Sequence, residues 1–432
     1  MTTLHRRSFG TVIWGLICLG MVWISGTSAA GQQAGTTVRI DLDQAIQLAI
    51  EHNHALRATR SLIQQSQAEE ITAAIRPNPV FVVDGQPGLP IIPSQFNSNN
   101  LNTVSEFDTG ATFTWERGRK RSARIRAARD QTVVTRYQVD DAERGLVYNV
   151  SQQYIQVLLA KSNLDLARED LKSFQQTVDL SEERYKAGAI SEGDLLRIKL
   201  QLLQFQTDVS SAELALVQAK VSLRQLLGYE SVPADFDVIG DLAFAPLKLN
   251  KQDVQMRALQ LRPDYLAAVQ GVTLAQSQYQ LAKANGKRDL ATTFLYSHTA
   301  AISTTSVGVN IELPFWDRNQ GEIARTHYAI GQAEENRAGA EDQVMTDVSN
   351  TYEQVQTNHR IVQLFQSGYL KQSADSRDIS EYAYQRGAAS LLDYLDAERS
   401  YRATQLAYRQ ALANYMLSLE LLRQSVGTRN LP

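Results

Sequence analysis

Cysteine is almost absent: the only one in 432 residues is Cys18. It lies within the first 30 residues, so a chain that loses them has no thiol for a disulfide, a cysteine-ligated metal or a cysteine nucleophile. Glycine and proline are also scarce, at 24 and 10. An all-β protein full of tight turns would need more of both, whereas long uninterrupted helices need few. No excess of one charge exists either: the formal net charge is −3, which argues against a dedicated nucleic-acid binder. Catalytic signatures are missing as well. There is no His-Glu-x-x-His, no nucleophile elbow and no phosphate loop, since Gly188-x4-Gly193 is followed by Asp194 where lysine is required. No enzyme and no cofactor are expected. With 43% of its residues hydrophobic and 21% charged, the chain is neither disordered nor collagen-like.

A single long apolar run, Phe9 to Ile24, follows His5, Arg6 and Arg7 and precedes the small residues Ser28-Ala29-Ala30. That order predicts a secretory signal over residues 1–30, cleaved after Ala30. Its loss removes two arginines and no acid, leaving −5. Ile17 before Cys18 and Leu19-Gly20-Met21-Val22 after it do not make a lipoprotein signal. No other segment reaches 18 apolar residues, so the exported chain could cross a membrane only as β-strands.

The rest is one plan written twice. Tyr185-x-x-Gly188-Ala189-x-Ser191-x-x-Asp194-x-Leu196 recurs as Tyr384-x-x-Gly387-Ala388-x-Ser390-x-x-Asp393-x-Leu395, at a constant offset of 199 residues. The same offset carries Leu223-Arg224-Gln225-x-x-Gly228 onto Leu422-Arg423-Gln424-x-x-Gly427, and Ala45, Ala49 and Ala58 align with Val254, Ala258 and Ala267 at 209. The expected organisation is a first repeat over 31–228, a linker over 229–250, a second repeat over 251–427 and a tail over 428–432. Within each repeat the hydrophobic period is that of coiled coils: Val150, Val157, Leu164, Leu171, Val178 and Tyr185 fall at sevens, as do Tyr394, Tyr401, Tyr408, Tyr415 and Leu422. The tyrosine stripe reads as core packing with hydroxyls at the rim. A helix from about Arg119 to Lys186 would be ~100 Å long at 1.5 Å per residue; only a spacer, a filament or a tunnel wall needs such a rod.

Two segments change to period two, Ala111 to Glu116 and Val307 to Leu313, each with a candidate partner strand before it. The expected strands are 79–85, 109–117, 290–298 and 305–315, with Pro87, Pro90 and Pro93 in an exposed loop within the first pair. Two half-buried hairpins in a soluble domain are one reading. In the other, Ala111, Phe113 and Trp115 with Val307, Val309, Ile311 and Leu313 face lipid, while Thr112, Thr114, Asn310 and Glu312 face water. Four strands cannot close a barrel and lipid does not tolerate open edges, so insertion requires several chains sharing one barrel.

In this order the parts resemble the TolC-like outer-membrane factors, the exit ducts of tripartite efflux pumps. The resemblance runs from Leu42-Asp43-Gln44-Ala45-Ile46 to Gly427 and includes Arg262-Pro263-Asp264-Tyr265, Leu313-Pro314-Phe315-Trp316-Asp317 and both Tyr-x-x-Gly-Ala-x-Ser-x-x-Asp elements. It implies a mainly α fold with a small β part: helical hairpins forming an α-barrel, and four strands per chain in a trimeric 12-stranded transmembrane β-barrel. It further implies an outer-membrane location, a homotrimer, outer-membrane lipid around it, and two protein partners: a periplasmic adaptor and an inner-membrane transporter of the resistance-nodulation-division type. The Gly-containing breaks would be the hairpin tips where the adaptor docks, marked by Tyr185, Gly188, Ser191, Tyr384, Gly387 and Ser390. Asp194, Asp393 and Asp396 match the acids of the pore constriction. Two departures stand out: Ala389 replaces a latch arginine, with Arg386 nearby, and His54 stands where proline is usual, as at Pro263. The stretch from Gly387 to Arg399 looks most like the branch serving heavy-metal cation pumps; export of drugs or small organic molecules stays open. A periplasmic adaptor, with its single hairpin, and a soluble coiled-coil scaffold are the other classes.

Arg117, Arg119, Lys120, Arg121, Arg124, Arg126 and Arg129 form the one dense basic run. Without interleaved aromatics it is no nucleic-acid site. Arg117, Arg119, Lys120 and Arg121 lie where a strand would leave the membrane, and are expected at its periplasmic surface. His52 and His54 point to different faces of a helix, so no metal site is read there.

Overall fold

The computed structural model describes residues 38–86, 98–99, 106–246, 249–299 and 302–431. The expected signal segment and most of the proline-containing loop lie outside them. In chain order the elements are β1 (Arg39–Ile40), α1 (Leu42–His52), α2 (His54–Ala74), β2 (Val80–Gln86), β3 (Glu106–Trp115), α3 (Lys120–Lys186), α4 (Glu192–Leu227) and β4 (Asp237–Val238). Then follow α5 (Lys251–Leu261), α6 (Pro263–Asn285), β5 (Leu290–Thr299), β6 (Ile302–Ile311), α7 (Gln320–Leu364), α8 (Leu370–Gln385) and α9 (Leu391–Val426).

The 67 residues of α3 include no proline and one glycine, Gly145, so nothing in the backbone interrupts them, and the helix is ~100 Å long. Both repeats cap their helices at matching places. Asp41 opens α1 with a capping box to Gln44, and Asn250 opens α5, 209 residues later. The α1/α2 break turns on Asn53, whose side chain accepts from the Leu56 amide at 3.0 Å. That cap explains how α2 starts at His54, where α6 uses Pro263 at its first position behind an Arg262 that makes no side-chain cap. Gly228 and Gly427 end α4 and α9 with φ 90° and 83°. A Cβ at either would sit 3.1–3.2 Å from the opposing α1 or α5 terminus, so glycine serves both the turn and the close approach.

The heptad seams are the core. Val150, Val157 and Leu223 are fully buried against α1, Phe236 and Val238, while Tyr415 and Leu422 are buried with Val254, Val344 and Val348. The tyrosine stripe thus packs inward, with Tyr394 and Tyr415 only 2% and 1% exposed. A parallel pair of β1 and β4 is held by Tyr154, whose hydroxyl donates to the Ile40 carbonyl at 3.0 Å. Across the lower half the helices lie side by side in the order α4, α3, α9, then α7 and α8. The arm made by α7 and α8 is not continuous: a π-helical turn, Phe365–Tyr369, intervenes, with Gly368 at φ 144°. A backbone only glycine adopts readily explains why the long helix breaks there.

The four longer strands form one antiparallel sheet in the order β2, β3, β5, β6. Its central pairing joins the two repeats, with Ala111 opposite Phe294 and Trp115 opposite Leu290. Strands β3 and β6 each begin three residues earlier than the alternation predicts, because pairing with β5 continues past the apolar residues.

Candidate functional site

Register determines which side chains share a face. Phe81, Ala111, Phe294 and Val307 stand opposite one another across all four strands, and Phe113, Thr292 and Val309, then Trp115, Leu290 and Ile311, continue that face. The other face carries Asp84, Asp108, Thr112, Thr293, Ser306 and Asn310, where the Thr112 and Thr293 hydroxyls hydrogen-bond at 3.0 Å. On the apolar side Phe81, Trp115, Phe294, Val307 and Val309 are 50–72% exposed, so the chain leaves a greasy surface uncovered. Strands of 10 residues match the 9–11 needed to cross a bilayer at a tilt. No helix among the described residues is long and apolar enough to cross one. At the helical end of the sheet, Phe315 and Trp316 are 67% and 89% exposed, an aromatic belt of the kind found at the membrane–water boundary. Among the described residues, strands β2 and β6 each leave one edge unpaired.

The opposite end carries the two Gly-containing turns, built alike. Gly188 (φ 73°) and Gly387 (φ 75°) reverse the chain, and Ser191 and Ser390 cap the helices that follow. Ser191 Oγ accepts from the Asp194 amide at 3.1 Å and donates to its carboxylate at 2.8 Å. Ser390 and Asp393 repeat this at 3.2 and 2.7 Å. The carboxylates of Asp194 and Asp393 therefore hold local cap bonds and favour the helix dipole. Asp396 is different: its side chain is 72% exposed, with Arg399 at 3.8 Å.

The structure brings the tips together through Tyr384 of the second motif and through Arg184, Tyr394 and Thr177, which the motifs do not mark. Arg184 Nη1 donates to the Tyr384 carbonyl at 3.0 Å, and its guanidinium lies 5.3 Å from that ring's centre. Tyr384 stacks on Tyr394 at 5.5 Å, and the Tyr394 hydroxyl meets Thr177 at 3.3 Å. Tyr185, by contrast, is 40% exposed and joins no such cluster. Above the tips Arg402 of α9 reaches Asp170 of α3 at 3.1 Å and Asp208 of α4 at 2.5 Å, stacked 4.3 Å over Phe205. Beside it lies the buried Glu398, whose carboxyl is pushed up to about 7 by burial and by the nearby Asp170. Spacing alone offers one clue to this group: Glu398 and Arg402 are four apart on one helix face.

Of the expected membrane-surface cations, Arg117, Arg119 and Arg121 are exposed. Lys120 is not: its ammonium pairs with Asp289 at 2.8 Å and only 12% of its side chain is accessible. Arg124 is likewise committed to Glu116 and to the carbonyls that end α2. The histidines separate, His52 bonding to the Leu48 carbonyl and His54 to Glu230. Among the described residues no three His, Cys, Asp or Glu side chains are grouped to hold a metal ion.

A sheet apolar on one side and, among the described residues, open at both edges, set on long paired helices of which α3 alone reaches ~100 Å, defines a subunit of an outer-membrane channel. The chain belongs to the family described as outer membrane efflux protein, whose profile matches residues 45–229 and 255–428. Its relatives include SilC of Salmonella typhimurium, 28% identical over 279 residues, an alignment covering 60% of this chain and 58% of that protein. The pyoverdine export outer membrane protein OpmQ of Pseudomonas putida is 25% identical over 412 residues, covering 90% and 86%. The cation efflux system protein CusC of Escherichia coli O157:H7 is 26% identical over 385 residues, covering 82% and 79%. A crystal structure of CusC superposes with a TM-score of 0.75 at 22% identity over 93% of this chain and 96% of that one. The fold is thus that of helical-barrel channels topped by a β-barrel, and the protein is located in the outer membrane.

Proposed function

We propose that three copies of this chain form a passive exit duct for cations, with residues 31–228 and 251–427 as two equivalent wall segments, 229–250 as a link at mid-height and 428–432 as a tail. The carrying observation is lateral. The chain presents an open strand edge and a bare helix on each side: β2 with α4, and β6 with α8. Both helices bear apolar stripes. Leu196, Leu200, Leu203, Leu214, Val217 and Val221 of α4 are 49–68% exposed, and Ile379 and Tyr382 of α8 are 69% and 60% exposed. One side fits the other of a neighbour, and a head-to-tail contact that closes on itself gives a ring. Three chains supply 12 strands, which satisfies every edge in lipid. Leu200→Asp with Leu203→Asp would place charge in each seam. The expected result is loss of the heat-modifiable oligomer and of a particle three times the mass of the exported chain; an intact oligomer would move the seam elsewhere.

At the tips, three-fold symmetry would set Asp396, with Asp194 and Asp393 above their serines, around one axis, a ring that favours cations. Tyr185, Gly188, Ser191, Tyr384, Gly387 and Ser390 form the blunt ends that a periplasmic adaptor would meet, and an inner-membrane transporter would supply the energy. The cation efflux system CusC and the tip motif support metal cations as cargo. Deletion of the gene should raise sensitivity to metal salts; sensitivity to organic compounds alone would transfer the reading to small-organic export.

A further inference from the structure

Four chain junctions meet where the sheet gives way to the helices. Lys120 and the Arg117 amide bind Asp289 at 2.8 and 3.0 Å. Arg124 reaches the Ile75 carbonyl at 3.0 Å, and Arg288 reaches Glu312 at 3.1 Å. Lys287 packs on Gly118 so closely that a Cβ there would lie 2.7 Å from the lysine Cβ. Residues 75–79, 116–124, 287–289 and 312–318 are thereby stitched into one collar. It holds nine cations and four carboxylates, about +5 in a chain whose total is −3.

The four acids are all engaged internally: Glu116 with Arg124, Asp289 with Lys120, Glu312 and Asp317 with Arg288. The surplus is on the surface. Arg76, Arg117, Arg119, Arg121, Lys287 and Arg318 are exposed, and none has a carboxylate partner among the described residues. Three of them come from the first basic run and two from the second repeat, so the sequence run shows only half the feature. The collar adjoins Trp115, Phe315 and Trp316, which mark the edge of the apolar band.

We infer that this collar binds the phosphate groups of anionic phospholipids in the periplasmic leaflet, a reading that rests on the channel orientation proposed above. An anion at that depth, beside an apolar band and indole rings, is a lipid phosphate. Guanidinium groups match its geometry with paired hydrogen bonds, and basic side chains at a membrane surface add attraction one by one. Exposed cations with no acid to satisfy them are what such a surface requires.

The full chain, reconstituted in phosphatidylcholine vesicles with and without phosphatidylglycerol, tests this. Lipid retained after extraction is measured by mass spectrometry for the wild type, for Arg117→Gln with Lys287→Gln and Arg318→Gln, and for Arg117→Lys with Arg318→Lys. Phosphatidylglycerol should be enriched roughly threefold or more on the wild type, lose that enrichment in the glutamine variant, keep it in the lysine variant and fall with salt. Equal enrichment in all three, or none in the wild type, overturns the inference. So does inorganic phosphate abolishing the preference at matched ionic strength, which would make this a free-anion site. Unheated gel migration of the same samples separates the two readings: an intact oligomer without lipid preference defeats the collar alone, whereas a wild type without oligomer defeats the channel and the collar with it.

Discussion

Replacing Arg402 with alanine should open the periplasmic end of the channel. Arg402 is the side chain through which α9 grips α3 and α4 together, at 3.1 Å to Asp170 and 2.5 Å to Asp208. Asp170 is only 4% exposed. Deleting the cation leaves Asp170, Asp208 and Glu398 facing one another across two hairpins, with Arg377 the remaining positive charge near Glu398. Removing one partner of a buried ion pair costs about 3–5 kcal/mol, because the charge left behind has lost its solvent and its partner. The structure can relieve this by swinging the second hairpin away from the first, and the π-turn at Gly368 lies at the break in that hairpin's outer arm. Single-channel conductance in planar bilayers should rise, and cells should admit large antibiotics. Arg402→Lys should be intermediate, since an ammonium cannot fork to two carboxylates as a guanidinium does. Adding Asp170→Asn and Asp208→Asn to the alanine variant should restore closure in part. Unchanged conductance in Arg402→Ala would show that the hairpins are held by the tip contacts of Arg184 and Tyr384 alone.

The rods and the sheet were legible because each rests on a local pattern. Absence of proline with leucine and valine at sevens gives α3, and alternation gives β3 and β6. What was not legible depends on partners. The ends of β3 and β6 are set by β5, through Glu106, Thr299 and Ile302, which carry no alternation of their own. The break at Gly368 was visible only as a glycine inside a helical period, a feature that tolerates several outcomes. Asp194, Asp393 and Asp396 were found by motif, yet motif does not reveal that the first two are held in serine caps. Arg402, Asp170 and Asp208 come from three helices, 194 to 232 residues apart from Arg402, and no spacing rule joins them. The collar was half seen, because Arg117 to Arg124 are consecutive whereas Lys287 and Arg318 reach it only through folding.

Glu398 makes the closed arrangement sensitive to pH, and its removal should stabilise the protein above neutrality. The residue is 8% exposed and accepts no hydrogen bond among the described residues. Around it stand Asp170 of α3, Arg377 and Glu381 of α8, and Arg402 and Tyr394 of α9. Burial first, then Asp170, raises its carboxyl from the ordinary 4.5 to about 7. An unfolded chain gives up this proton near 4.5 and the folded one keeps it to about 7, so stability falls as pH rises between those values and the loss is complete above them. The difference corresponds to roughly 3 kcal/mol per chain. Asp170, also raised by burial against the pull of Arg402, adds loss of the same sign. Glu398→Gln keeps the shape and discards the charge. Its melting temperature should match the wild type at pH 4.5 and exceed it by several degrees at pH 8, with hydrogen exchange in α8 and α9 slowed only at the higher pH. Parallel melting curves across that range would mean that Arg377 and Arg402 already neutralise the carboxylate. The channel would then be closed no more firmly in acid than in base.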